Sequence, residues 1–169
     1  MGSVERVIPD PGFADDDGSA DPALASALAS FAAGQGSGVD VLAALTGTRL
    51  LVPVVAVLGE VEYDDNGLAH DKTSDMAAVL LERADGRKGL LAFTSTATMQ
   101  AWDPQARPVP VTARTAAQAA IQDQADALVI DVAGPAPYTL SGAPLLRIGQ
   151  GWTVARVGGE PAWIGSAEG

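Results

Sequence analysis

The sequence predicts an α/β fold with a single mixed sheet flanked by helices, and an α+β arrangement is also compatible with it. Short apolar runs alternate with helix-like segments between Gly89 and Pro135, and a cap or turn residue marks each change of period. This alternation is typical of layered α/β domains. A hydrophobic fraction of 47% in 169 residues is enough for one core. Because only 5% of the residues are aromatic, this core consists mainly of aliphatic side chains.

Three segments are predicted along the chain. Residues 1–20 form a flexible N-terminal arm, because Pro9-Asp10-Pro11-Gly12 favours turns and Asp15-Asp16-Asp17-Gly18 is a solvated acidic patch. Residues 21–158 form the α/β domain, and residues 159–169 form a C-terminal tail.

Helices are predicted where caps precede apolar residues at helical spacing. Asp21 as N-cap and Pro22 at the first helical position begin one helix. A short helix follows over Val39–Leu45, and a longer one covers Thr112–Asp123. Thr94-Ser95-Thr96 caps a further helix.

Strands are predicted in the continuous apolar runs. Arg49–Val57 is rich in β-branched residues, which indicates a strand buried on both faces. Pro53 cannot donate a backbone hydrogen bond, so the strand lies near an edge there or carries a bulge. Met76–Glu82 and the run beginning at Leu90 form a hairpin, and Ala127–Ile130 is a later strand.

The remaining apolar pieces are short. Val109-Pro110-Val111 predicts another strand. Beyond Pro135, three pieces predict further short strands or an irregular tail: Tyr138–Leu140, Leu145–Ile148 and Trp152–Ala155.

Composition excludes several function classes. The net charge of −11 repels phosphate backbones and anionic membranes, and the Lys and Arg residues are scattered, so no nucleic-acid or membrane partner is expected. The absence of cysteine excludes disulfides, cysteine zinc sites and thiol catalysis, and it fits a cytoplasmic location. No apolar run reaches the roughly 18 residues of a membrane span.

The motifs for catalysis and cofactor binding are incomplete. Gly67–Thr73 lacks the second glycine of a phosphate-binding loop, and His70 is a lone histidine with no Gly-x-Ser-x-Gly turn to supply a nucleophile. In the acidic run Asp15–Asp17, Ala20 stands where a calcium loop needs glycine. The sequence therefore predicts no catalytic residue, no cofactor and no metal.

Polar residues follow two of the predicted strands. Thr94 and Ser95 come after one strand, and Asp131 and Gly134 come after another. If the two strands are parallel neighbours, these residues share one edge, where ligands of open α/β sheets gather. The other interpretation is that they only form turns.

Trp102 falls at helical spacing from Met99. Such a residue packs in the core, or it is an exposed anchor for a partner protein.

The central part of the chain, about Leu42 to Leu140, resembles the SseB N-terminal domain family of bacterial proteins. The residues that carry the resemblance are Leu50–Val54, Lys72–Met76, Leu91–Ser95 with Trp102 behind, Asp126–Asp131 and Ala133–Pro135. The resemblance implies a cytoplasmic α/β domain and a tie to amino-acid metabolism through a serine-sensitivity phenotype. It implies no catalytic residues.

The leading functional hypothesis is a non-enzymatic interaction or regulatory module with an unknown protein partner. The alternative is a small-molecule binder or an enzyme that uses the edge around Ser95 and Asp131. A homodimer paired through an exposed strand is a third possibility, with Pro53 blunting one edge.

Overall fold

The computed structural model describes residues 13, 15–58, 61–63, 69–71 and 74–165, and it describes side chains in these ranges outside 55–77. Helices and strands alternate through the described residues, which confirms the α/β fold class. The helices are α1 (Pro22–Ala32), α2 (Gly38–Leu45), α3 (Thr96–Trp102), α4 (Ala113–Gln122) and α5 (Gly142–Gly149).

The strands are short apart from the first. They are β1 (Arg49–Leu58), β2 (Val61–Tyr63), β3 (Ala69–Asp71), β4 (Ser74–Ala78), β5 (Leu80–Glu82), β6 (Lys88–Ala92), β7 (Arg107–Thr112), β8 (Ala127–Ile130), β9 (Tyr138–Ser141), β10 (Thr153–Val157) and β11 (Glu160–Ile164).

The prediction of one mixed sheet is wrong, because the described strands form more than one sheet. The described strands form a mixed four-stranded sheet (β5-β6-β8-β9), a three-stranded sheet (β4-β1-β7) and two hairpins (β2-β3 and β10-β11). The two larger sheets touch at one bridge, where the backbones of Leu51 and Phe93 exchange two hydrogen bonds of 2.7 and 2.8 Å. The predicted strand Met76–Glu82 is split at Val79, so that β4 pairs with β1 while β5 forms the predicted hairpin with β6.

Strand β1 shows how a proline fits a central strand. Its first half pairs with β7, where Pro53 lies opposite Pro108, and its pairing with β4 begins only at Val54. Pro53 therefore lies where β1 has a ladder neighbour on one side only. The expectation that the strand is locally near an edge at Pro53 is confirmed.

Side-chain caps begin four of the helices. Asp21, Ser37, Ser95 and Thr112 each accept a hydrogen bond from a backbone N–H three residues later. Such caps satisfy donors that the first helical turn leaves without partners. The predicted starts of α1, α3 and α4 are confirmed by this geometry.

Helix α5 forms where the sequence predicts a strand or irregular tail, and that prediction is wrong. No side chain caps this helix, and Gly142 and Pro144 stand in its first turn, so the usual signals are missing. The helix is stabilised by its tertiary contacts instead, because Leu145 and Ile148 are both buried at a spacing of three residues.

The core has two parts, one on each face of the four-stranded sheet. Leu90, Leu128 and Ile130 point to one face and pack with helices α1, α2, α4 and α5. On the other face, a smaller cluster consists of Leu51, Leu91, Phe93 and Met99. Among the helices of the described residues, only the short helix α3 contributes a buried residue, Met99, to this second cluster, and Leu81 on the same face of the sheet is 37% exposed.

Helix lengths bear on membrane association. None of the helices in the described residues combines the length and the apolarity that crossing a bilayer requires.

Candidate functional site

The polar residues at the strand ends lie together, as predicted from parallel neighbouring strands. Strand β6 runs parallel to β8 with Ala92 opposite Ile130, so the next residues of both strands meet. The backbone N–H of Thr94 donates to Asp131 Oδ1 at 2.8 Å, and the Thr94 hydroxyl donates to Asp131 Oδ2 at 2.6 Å. We call Thr94, Ser95, Asp131 and Gly134 the strand-end edge.

Asp131 adopts a backbone conformation that is unusual for a residue with a side chain. Its φ is +55°, in the left-handed region where Asp and Asn are enriched among non-glycine residues. Its N–H donates to the Ala92 carbonyl at 3.0 Å, and its own carbonyl accepts from Gly134 N–H at 2.9 Å. The turn after β8 is thus held by backbone hydrogen bonds on both sides of Asp131.

Ser95 links this edge to α3. Its hydroxyl oxygen accepts from the backbone N–H of Thr98 at 3.1 Å, and the Thr98 hydroxyl donates to Asp131 Oδ1 at 2.8 Å. Asp131 is 5% exposed, and its carboxylate accepts three hydrogen bonds, one from a backbone N–H and two from hydroxyl groups, out of about four that a carboxylate can accept. The polar groups of the edge therefore bind chiefly to one another.

Arg49 extends this network toward the N-terminal segment. The guanidinium is buried, and its Nη1 donates to the Thr94 carbonyl at 2.5 Å. Its Nε and Nη2 bind both carboxylate oxygens of Asp16 at 2.5 and 2.8 Å, while Nη2 also donates to the Ser19 carbonyl. Hydrogen bonds from Arg49 lower the pKa of Asp16 below its ordinary value, and the same hydrogen bonds raise the pKa of Arg49.

The ion pair corrects the prediction of a wholly solvated acidic patch. Only 17% of the Asp16 side-chain surface is accessible to solvent, although Asp16 counted with its backbone is an exposed residue. No local motif could have indicated it, because Asp16 and Arg49 lie 33 residues apart. The domain boundaries at residues 20 and 158 stay predictions. Asp16 and Ser19, before the first boundary, contact Arg49 of the domain, and strand β11 lies after the second boundary.

Gly18 lies against the start of α3. Its carbonyl accepts a 2.8 Å hydrogen bond from the Thr96 backbone N–H, and its φ is +82°. A Cβ at this position would lie 2.3 Å from Thr96 Oγ1, so a larger residue would push the segment away. Asp16, Gly18 and Ser19 therefore contact Arg49 and Thr96, which adjoin the strand-end edge in the structure or in the chain.

Trp102 packs against the second core cluster. Its ring lies 5.7 Å from that of Phe93, between centroids, and the side chain is half-buried. Val129 and Val132 border the same cluster. The geometry agrees with the core-packing interpretation of Trp102, with part of the ring at the surface.

A groove lies on the uncovered face of the four-stranded sheet. We call it the sheet-face groove; its volume is about 510 Å³, and its apolar and hydroxyl lining comes from Leu81, Gly89, Val129, Val132, Thr139 and Ser141. Val129 packs closely on Gly89, because a Cβ there would lie 2.6 Å from Val129 Cγ2. Leu81 remains 37% exposed. The groove therefore offers accessible apolar surface in a shallow trough.

Charged residues surround this trough. Arg83, Arg87 and Lys88 line it together with one carboxylate, Asp126, whose Oδ2 accepts from the Lys88 backbone N–H at 2.9 Å. The sequence interpretation missed this cluster because it treated the basic residues as scattered. The available signal was their spacing, since three of the chain's ten Lys and Arg residues fall within positions 83–88.

A metal centre finds no support in the residues that the structure describes. They contain no group of three or more His, Asp or Glu side chains arranged to hold an ion.

Comparison with known proteins identifies the family. No curated protein and no solved structure matches the chain. The model of the SseB protein N-terminal domain matches residues 24–145, which is well over half of the chain. The matched range contains β6, β8, the strand-end edge and the sheet-face groove. The chain therefore belongs to the SseB N-terminal domain family.

Proposed function

We propose that this chain is a non-enzymatic protein-interaction module that works in the cytoplasm and binds its partner at the sheet-face groove. The observation that carries the proposal is a contrast between two regions. At the groove, Leu81 is accessible and has cations around it, whereas at the strand-end edge the Asp131 carboxylate already accepts hydrogen bonds from Thr94. Exposed apolar surface with a polar rim is typical of protein-binding sites.

The strand-end edge has a positioning role in this proposal. Asp131 holds Thr94 at the end of β6 and Thr98 in the first turn of α3. Helix α3 carries Trp102, which packs in the same cluster as Val129 and Val132 of the groove. The hydrogen-bonded edge thereby holds α3 and Trp102 beside Val129 and Val132, two residues that line the groove.

Several properties of the sequence support the rest of the proposal. The absence of cysteine suits a reducing compartment, and a net charge of −11 disfavours nucleic acid as the partner. A role in amino-acid metabolism, which the family resemblance implies, is included in the proposal. Serine sensitivity of a deletion strain is its first test.

Affinity capture with matched variants tests the proposed surface. Wild-type chain, a groove variant (Leu81→Ser/Arg87→Glu) and a control variant (Val157→Ser/Arg107→Glu) are used as baits in lysate of the native cell. The control residues are exposed and lie on β10 and β7, away from the groove. We expect a protein that wild type and control retain and the groove variant loses, with the same pattern when the purified protein is rebound. Equal capture by all three baits would reject the groove as the binding surface.

The alternative function at the strand-end edge is tested separately. Asp131→Asn keeps a residue that tolerates the left-handed backbone and retains one acceptor oxygen. If the edge binds a ligand or catalyses a reaction, this variant fails to complement the deletion strain while it stays folded. Full complementation together with loss of complementation by the groove variant would favour the interaction module.

A further inference from the structure

The cations of the sheet-face groove are unusual for this chain. The chain carries a net charge of −11, yet the lining of the groove contains three cations and one carboxylate. Arg87 has one acidic neighbour, Asp85, at 3.8 Å, and both side chains are more than half exposed. A pair of this kind is weak and screened, so Arg87 can exchange Asp85 for the carboxylate of a partner.

The floor of the groove selects for an aliphatic group. Leu81 and Val129 lie on the strands on either side of Gly89, and the Val129 side chain leans over Gly89, because a Cβ there would lie 2.6 Å from Val129 Cγ2. Val129 also packs on the second core cluster, so this floor is held in place from below. A Leu, Ile or Val side chain placed in the groove could pack against the apolar surface of Leu81 and Val129.

The far wall is polar. Thr139 and Ser141 lie on β9 opposite Val129 and Ala127, and both are exposed. Their hydroxyl groups can donate and accept hydrogen bonds, which suits the backbone of an extended peptide. The groove thus presents cations, an apolar trough and hydroxyl groups.

We infer that the sheet-face groove binds an extended, acidic peptide segment of a partner protein, with an aliphatic side chain against Leu81 and Val129 and carboxylates at Arg83 and Arg87. This inference rests on the proposed function and specifies the chemistry of the partner. A polyanion such as nucleic acid, or a second copy of the chain, would bring a large negative charge toward the whole acidic surface, whereas a short peptide brings its carboxylates to the groove alone.

Selection from displayed random peptides tests this chemistry directly, because random peptides sample many combinations of charge and apolar side chains. Short peptides are selected on the full chain and counter-selected on the Arg83→Glu/Arg87→Glu variant. We expect a consensus that combines Asp or Glu with one or two aliphatic residues. A consensus without acidic residues, or failure to enrich any sequence, would overturn the inference.

A synthetic fluorescein-labelled consensus peptide then measures affinity by anisotropy. We expect Arg83→Glu/Arg87→Glu to weaken binding by about tenfold or more and Arg107→Glu by less than about twofold. Binding should also weaken severalfold between about 0.05 M and 0.5 M sodium chloride. Leu81→Ser should weaken binding at both salt concentrations, while Val157→Ser should not. Salt-independent binding, or equal loss for the groove and control variants, would contradict the inference.

Two further measurements address the other occupants. A labelled single-stranded DNA oligonucleotide that binds the groove more tightly than the peptide would identify nucleic acid and reject the peptide. If sedimentation shows a dimer that the Arg83→Glu/Arg87→Glu substitutions dissociate, and the peptide does not compete with this dimer, the occupant is a second copy of the chain.

If the capture experiment shows a groove-dependent protein but the peptides show no acidic consensus, the interaction module stands and only its partner chemistry is wrong. If no captured protein depends on the groove, the proposed function itself fails.

Discussion

The strand-end edge and the sheet-face groove adjoin the same two strands, β6 and β8, but they use polar groups in opposite ways. At the edge, Thr94 and Asp131 bind each other out of contact with solvent. At the groove, Arg83 and Arg87 are exposed beside apolar surface. A polar cluster that satisfies its own hydrogen bonds stabilises the fold, whereas exposed charges around an apolar trough are available to a partner.

This comparison leads to a clear division between variants. Changes at the edge should lower the free energy of unfolding, and changes at the groove should lower affinity without unfolding the chain. Each prediction below would sharpen or break that division, beginning with the largest expected effect.

Asp131→Ala should destabilise the protein by about 2–4 kcal/mol, because buried donors of Thr94 and Thr98 lose a charged acceptor and alanine is unfavourable at positive φ. Urea unfolding measures the change. Asp131→Asn is the control and should stay within about 1 kcal/mol of wild type, since asparagine keeps one acceptor and tolerates this backbone. If the alanine variant is as stable as wild type, the edge does not hold the fold.

Asp16→Asn should destabilise the protein by about 1 kcal/mol at neutral pH, because it removes the charged partner of Arg49 at a partly solvated position. The pKa of Asp16 is lowered in the folded state, so the contribution of this carboxylate is present above its unfolded pKa of about 3.9. It disappears as the pH falls through the lower folded pKa.

The unfolding free energies of wild type and Asp16→Asn should therefore converge in acid. Urea unfolding at a series of pH values from neutral to about pH 3 measures the difference. Deletion of residues 1–20 should cost at least as much as Asp16→Asn at neutral pH, because it removes the same partner of Arg49. A difference that persists unchanged in acid would show that the ion pair is not its source.

The groove variants Leu81→Ser and Arg87→Glu should each change the free energy of unfolding by no more than about 0.5 kcal/mol, because both side chains are exposed. Urea unfolding at neutral pH tests this, with Val157→Ser as the matched apolar control. A loss of several kcal/mol in either groove variant would mean that this surface is part of the core, and its effect on binding could not be separated from folding.

Chelator treatment should leave the melting temperature unchanged. The described residues contain no group of three or more His, Asp or Glu side chains that could hold a metal ion. Thermal unfolding with and without EDTA measures the effect. A drop of several degrees would indicate a bound metal and would require a different account of the stability of one of the two regions.

Local sequence signals accounted for much of the fold. Asp21 before Pro22, Ser95 three residues before Thr98, and Thr112 at the start of α4 mark helix starts that depend on neighbours in the chain. The apolar runs of β1 and β8 likewise marked strands, and their described side chains, residues 49–54 and 127–130, are buried or half-buried. The proximity of Thr94 to Asp131 could also be predicted, because parallel strands bring their carboxyl ends together.

Tertiary structure decided the features that join distant residues. Helix α5 forms where no cap marks it, because Leu145 and Ile148 are buried against the rest of the core. Arg49 is paired with Asp16 across 33 residues, and a solvated acidic patch looks the same in sequence as one that supplies a partner to a buried arginine.

The sequence by itself therefore determined the fold class, the family resemblance and which residues end the two parallel strands. It did not determine whether those residues face one another or a ligand, nor which face of the sheet remains open. Both features depend on packing. The Thr94 hydroxyl lies close enough to donate a hydrogen bond to the Asp131 carboxylate, and the short helix α3 covers only part of the sheet face that carries Val129. Periodicity along the chain specifies which residues share a face, but only the neighbouring elements specify whether that face is covered.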